Sequence, residues 1–287
     1  MLAAFVRTFS YPVIAGGLGA IIVIATAHGL PYWPLFPMVA ATGLASVALL
    51  ERRFPYEPAW NHDHGDLRTD VFHALVNFGL LLVAVELLFA LRSRFTPAAL
   101  WPQSWPVALQ ILLAGTIIDL GFYGVHRLSH RLPWLWPLHA PHHSAERLYW
   151  LNGERRHPLH ALLMAAPGLL VVVLGGAPPA IVAAWLTFLT IHLGFQHANL
   201  DYTLGPLNRW IGVAAVHRWH HKREYHDAQV NFGEFWMVWD RLFGTFHTAP
   251  PELRSGDVGL RESGYPQNYL GQLRAPFVRA GREVREP

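Results

Sequence analysis

Residues 8–50 contain no Asp, Glu, Lys or Arg, and neither do residues 158–200. One bilayer crossing takes about 20 apolar residues, so each run is too long for a single helix and must turn back within itself. In the first run Pro31, Pro34 and Pro37 mark the turn and give spans near residues 10–29 and 34–50. Tyr32 and Trp33 sit at that turn, where interfacial aromatics collect. The second run is broken by Gly175, Gly176, Pro178 and Pro179 into two arms of about 17 residues, at the short limit for crossing. It reads as a hairpin, either full or re-entrant. A cleaved secretory leader would precede a polar mature domain, whereas here a second span follows directly.

A polar stretch, ERRFPYEPAWNHDHGDLRTD, ends at Asp70. A third span is expected at about residues 71–91 and a fourth at about 104–125, with Trp101 and Trp105 flanking the turn between them. Only 14% of the chain is charged, against about 25% in soluble domains, and 52% is hydrophobic. The mean hydropathy of +0.23 agrees. The expected fold is all-α, a multi-pass membrane helical bundle of about four full spans plus a further hairpin, forming one integral membrane domain over residues 1–287. A net charge of +3 is too small to point to a nucleic acid partner.

Basic residues follow span two (Arg52, Arg53) and span four (Arg127, Arg131, Arg147, Arg155, Arg156), and recur from Arg209 onward. The positive-inside rule makes these loops cytoplasmic, outweighing Arg92 and Arg94 on the other side. Every histidine cluster then lies on the cytoplasmic face of a bacterial inner membrane or the endoplasmic reticulum.

Cysteine is absent, which leaves nitrogen and oxygen as the only metal ligands. Of the 18 histidines, 13 lie between His126 and His226. HRLSH carries His126 and His130 one helical turn apart. HAPHH carries His139, His142 and His143, and HRWHH carries His217, His220 and His221. Offsets of three and four converge on one side of a helix, so each triplet is expected to offer three nitrogens to a shared centre. Neutral imidazole suits iron, copper, nickel and zinc, and eight or more convergent rings imply two metals. Structural zinc sites usually close with four ligands. His28 and His73 read as hydrogen-bonded helix residues, His62 and His64 as solvated, and His160, His226 and His247 as bystanders.

These motifs, in this order, resemble the fatty acid hydroxylase superfamily and its sterol desaturase branch. The resemblance covers residues 115–247 through DLGFYGVHRLSH, LHAPHHSAE, RRHPLH, HANL, LGPLN, HRWHH and NFGEFWMVWDRLFGTFH. LGPLN and HHSAE look like the alkylglycerol monooxygenases, and RRHPLH like the sterol oxidases. The resemblance implies a membrane-bound non-haem di-iron oxygenase with a cytosolic histidine-rich helical cap. Residues 1–114 would be the N-terminal spans, 115–247 the catalytic region and 248–287 a polar tail. Its metal ligands would be His126, His130, His139, His142, His143, His157, His197, His217, His220 and His221. His192 is a further candidate, five residues before His197. Asp119, Glu146, Asp227 and Asp240 are candidates to accept the second ring N–H of a ligand, and Asn231 to act as a cap or supporting amide.

The implied cofactor is two Fe2+ ions, with zinc as an ion the purified protein could also hold. The implied partners are a membrane lipid, O2 and a separate electron-donor protein or reductase. The implied reaction is hydroxylation or desaturation of an unactivated C–H in a sterol, fatty acyl, ether lipid or carotenoid. A histidine-rich divalent metal transporter or binding protein without oxygenase activity is the alternative, but transport sites sit near the bilayer midplane and these histidines lie beyond the span ends. A hydrolytic zinc site would need only three protein ligands.

Overall fold

The computed structural model describes residues 1–95, 100–248, 253–261 and 264–278. Among them there is no strand, and helices carry the architecture. Helix α1 (Leu2–Ala27) contains one π-helical turn over Pro12–Gly16. It is followed by α2 (Tyr32–Arg53), α3 (Leu67–Arg94), α4 (Val107–Ser129), α5 (Trp136–His143), α6 (Pro158–Leu174) and α7 (Pro179–His197). Helices α1, α2, α3, α4 and α7 are long and apolar enough to cross a membrane, and α6 is a shorter apolar helix. The bundle thus has the expected four spans, and residues 158–200 form the expected hairpin from α6 and α7.

Helix α7 packs on α1, α2 and α4, while α6 packs on α3 and α4. The most apolar stretch of α7 is 61% buried and that of α3 only 11%, so α3 is the outermost wall. Its Leu75, Leu82, Val83 and Leu87 are exposed, as lipid-facing side chains should be.

Lipid tails are as apolar as leucine, so helices in a bilayer associate by close packing at small residues. Helices α4 and α6 meet at such a point. A Cβ on Gly121 would stand 2.6 Å from the Gly168 nitrogen, and one on Gly168 would stand 2.4 Å from the Ile118 Cα. Both obstacles are main chain and cannot rotate away.

The C-terminal ends of α2, α4 and α7 and the N-terminal ends of α3 and α6 reach the same end of the bundle, where the polar segments form a cap. Arg147 and Arg155 both pair with Asp66, at 2.7 and 3.2 Å, and Arg155 also binds Asp70. Tyr149 donates to Asp70 at 2.6 Å. Glu51, at the end of α2, accepts the N–H groups of Trp150 and Asn199. His73 is buried between the Arg156 carbonyl and the Gln272 side chain, in keeping with a hydrogen-bonded helix residue. Gln272 lies on a C-terminal helix (Tyr269–Val278) that packs on α3 and α5.

Replacing Gly121 by Ala should therefore lower thermal stability in detergent by about 1–3 kcal/mol. Gly124, with open space around its Cβ position, should tolerate Ala or gain up to about 1 kcal/mol. Paired unfolding midpoints of the two variants check the difference.

Candidate metal centre

Nine histidines converge in the cap as two groups. His126, His130, His139, His143 and His220 form one; His142, His197, His217 and His221 form the other. All nine are buried. His126 lies in the last turn of α4 and His130 just beyond it. His139, His142 and His143 come from α5, and His197 is the last residue of α7. A short helix, α8 (Ala214–His217), continues into a 3-10 turn over Arg218–His221 and supplies the rest.

Each triplet is divided between the groups, contrary to the expected three nitrogens on one centre. Helical rotation of about 100° per residue explains this division for α5. His139 and His143 stand about 40° apart and turn the same way, whereas His142 lies about 100° from His143 and faces the other group. The groups lie side by side: His143 stacks on His221 with ring centroids 4.9 Å apart.

The Nε2 of His143 lies 3.1, 3.0 and 3.1 Å from the Nε2 atoms of His130, His139 and His220. One imidazole nitrogen cannot serve three hydrogen bonds at once, so these contacts are not a hydrogen-bond network. The Nδ1 of His126 lies 2.8 Å from the Phe232 carbonyl, and that of His220 lies 3.0 Å from the Val230 carbonyl. A carbonyl only accepts, so both Nδ1 atoms carry the proton and both Nε2 atoms present lone pairs. Those lone pairs face each other across 2.8 Å. In the second group His197 donates from Nδ1 to the Leu193 carbonyl, and its Nε2 stands 3.1 Å from that of His217. The Nε2 of His221 stands 3.1 Å from the same atom.

Lone pairs so arranged repel unless a cation lies between them. Donors at about 2.1 Å from one ion and at right angles to each other are separated by about 3.0 Å, which matches these spacings. The residues present therefore fit two metal ions with nitrogen-only ligands. Burial, followed by the charge of neighbouring imidazoles, holds His130, His139, His142, His143, His217 and His221 well below the ordinary histidine pKa. Burial pushes His220 down to about 3. The rings are neutral at physiological pH, as ligands must be.

Carboxylates support the rings through the main chain instead of by direct contact. Asp240 accepts the N–H groups of Phe232 and Gly233, both at 2.8 Å, and the Thr245 hydroxyl. Asp119 accepts the N–H groups of Phe235 and Trp236 and the Trp239 indole N–H. Both fix the loop whose Phe232 carbonyl orients His126. Asn231 adopts φ 55°, a left-handed conformation asparagine tolerates, and donates to the Val216 and His247 carbonyls.

The other expected site residues stand apart. His157 begins α6, accepting the Leu159 N–H at Nδ1 and donating from Nε2 to the Leu273 carbonyl. Both its nitrogens are engaged, and the following Pro158 was the sequence signal of a helix start. His192 is held between the Tyr11 hydroxyl and the Glu234 carbonyl. Asp227 is exposed and pairs with Lys222, and Glu146 is exposed on the surface. His160 touches the edge of the site, with Nε2 on Ser129 and its ring 4.6 Å from His139.

Sequence reasoning missed a buried charge cluster beside the first group. Glu234 pairs with Arg156 at 3.2 Å and lies 3.9 Å from the His126 Nδ1. Burial holds the carboxyls of Glu154 and Glu234 above the usual carboxylate range, and Arg156 offsets only part of that rise. Gly153 lets this segment approach the metal group, since a Cβ there would stand 2.7 Å from the His197 Nδ1. The cluster closes one end of a cleft between α3, α4, α6 and α7, walled by Phe78, Leu81, Phe122, Leu189 and Leu193.

Changing Asp240 to Ala should loosen the Phe232 carbonyl and weaken metal retention about 10–100-fold. His143→Ala should lose metal outright, while His157→Ala should keep the full complement and lose about 1 kcal/mol of helix capping. Metal content of the purified variants, by elemental analysis, separates these outcomes.

The fatty acid hydroxylase family model matches residues 111–245. Ornithine lipid hydroxylase OlsE of Rhizobium tropici is 35% identical over 294 residues, covering 98% of this chain and 87% of that protein. Alkylglycerol monooxygenase of Danio rerio is 32% identical over 150 residues, which is 51% of this chain but 31% of that protein. Human cholesterol 25-hydroxylase is 25% identical over 229 residues, covering 76% and 80% of the two chains. No solved structure matches. The likeness to OlsE runs through the spans as well as the histidine motifs, and on that basis the chain belongs to the fatty acid hydroxylase family.

Proposed function

We propose that this protein is a membrane-bound di-iron oxygenase that hydroxylates an aliphatic C–H of a membrane lipid, using O2 and electrons from a separate donor protein. The observation that carries this reading is the pair of histidine groups, five and four rings with their ring nitrogens gathered together, among them the Nε2 lone pairs of His126 and His220 facing each other. Such a nitrogen-only pair suits redox ions, and the chemistry iron supplies when bound is activation of O2. Side-chain acids and bases lack that chemistry. The names of the relatives, all hydroxylases or monooxygenases, favour hydroxylation over desaturation.

The chain's own residues supply position and environment. His126, His130, His139, His143 and His220 would hold one ion, and His142, His197, His217 and His221 the other. The Phe232, Val230 and Leu193 carbonyls keep His126, His220 and His197 in the tautomer that leaves Nε2 free. Glu234 places a negative charge beside a centre that would carry several positive ones, and Arg156 compensates it when the centre is empty. The apolar cleft admits a lipid from the bilayer and limits water at the reacting carbon. The basic loops favour the cytoplasmic face for the centre. A metal transporter fits less well, because the histidine groups lie at one end of the bundle instead of midway along it.

Mass spectrometry of membrane lipids tests the reading. Cells expressing the wild type under O2 should contain a lipid that has gained one oxygen, and His220→Ala should abolish it. Identical lipids in the two strains, with only zinc in protein purified from iron-replete cells, would sink the oxygenase assignment.

A further inference from the structure

The cleft contains two polar acceptors that, among the described residues, have no hydrogen-bond donor. Asn77 is 5% exposed and lines the cleft. Its Nδ2 donates to the Glu154 and Arg156 carbonyls at 2.9 and 3.0 Å. Carbonyls only accept, so the amide orientation is fixed, and the Oδ1 is left buried without a donor. Glu154 lines the same cleft and the smaller pocket that continues it toward Trp150 and Gly153. Among the described residues its carboxylate has no hydrogen bond and no ion pair. The nearby guanidinium of Arg156 is already committed to Glu234 and the Gly153 carbonyl.

A carboxylate and an amide oxygen in an otherwise apolar cleft are costly unless donors satisfy them. A primary ammonium carries three N–H donors and a positive charge, which matches one anionic and one neutral acceptor. A hydroxyl brings a single donor and no charge. Apart from Arg156 and Thr190, whose hydroxyl donates to the Leu186 carbonyl, the other cleft walls are leucine, phenylalanine and alanine on apolar helices of the bundle, which favours a lipid over a soluble amine. Gly153, adjacent to Glu154 and lining the smaller pocket, is the residue that packs against His197.

Resting on the oxygenase reading above, we propose that Glu154 and Asn77 form a subsite for the primary ammonium of a lipid head group and thereby select the substrate. Glu154 supplies the charge and the Asn77 Oδ1 a second acceptor. Glu154 is a specificity residue, distinct from the metal ligands.

The probes are an N-acyl-ornithine with a free side-chain ammonium and the same lipid with that amine acetylated. Competition between them for the full-length protein in nanodiscs, read by native mass spectrometry, needs no turnover. The wild type should prefer the ammonium lipid by about tenfold or more, the usual worth of a charged hydrogen bond. Glu154→Gln should reduce the preference to within about twofold, and Glu154→Asp, which keeps the charge, should retain part of it. Bound metal and thermal midpoint verify that each variant is folded. Unacylated ornithine at the same concentration should not displace the lipid. The proposal is overturned if the wild type does not discriminate, if folded Glu154→Gln discriminates as well as the wild type, or if free ornithine competes equally. Gain of oxygen by wild-type lipids is read separately, so a missing product would count against the oxygenase reading while the binding preference stood, and the reverse.

Discussion

His126 and His220 face each other across 2.8 Å with both Nε2 lone pairs inward, because each Nδ1–H is committed to a main-chain carbonyl. His197 is held in the same way by the Leu193 carbonyl, and with nine buried rings brought together the centre of the cap is a place that the protein alone leaves electrostatically unresolved. Desolvation favours the neutral form of the rings, and the neutral form is the one able to bind a metal. The binding energy of ions at such a centre also becomes folding energy, since no such array survives in the unfolded chain.

Everything near the rings holds them against that mutual repulsion. Phe232 and Val230 can orient His126 and His220 only if the loop bearing their carbonyls is rigid. Asp240 and Asp119 make it so with five hydrogen bonds to main-chain or indole N–H groups. Farther out, Arg155 is fully buried between Asp66 and Asp70 and ties the start of α3 to the segment before α6. Removing one partner from such a buried pair costs about 3–5 kcal/mol, because a charge is left without compensation. The membrane bundle below contributes the close helix crossings, so that α4 and α7 deliver His126 and His197 at fixed heights.

The spans and the histidine motifs were legible because each rests on a repeated pattern. Charge-free runs report bilayer crossings, and offsets of three and four report a shared helix side. The division of the triplets was legible only in part. The 100° rotation per residue separates His142 from His143, but which ring meets which group depends on how α5 lies against α8. The supporting contacts were not legible at all, since every residue has a carbonyl and the ones that matter, at Phe232 and Val230, have no side-chain signature. Glu146 and Asp227 are acidic and close in sequence to the histidine motifs, yet both face outward. Glu234 and Asn77 are single residues with no spacing to mark them, and only their burial beside charge or cleft makes them notable.

The stretch NGERRH, residues 152–157, shows how few residues connect the parts of the site. Asn152 holds the Arg147 carbonyl and the Tyr149 N–H, keeping the preceding loop in place. Gly153 has no side chain because His197 occupies that space. Glu154 turns into the cleft, Arg155 locks onto Asp66 and Asp70, Arg156 pairs with Glu234, and His157 starts α6. Within a short 3-10 turn and its flanks, successive side chains must point in different directions, so one segment can touch the histidine groups, the apolar cleft and the cap together. The same economy couples them. A displacement that moves Glu154 also shifts its neighbours Gly153 against His197 and Arg156 against Glu234.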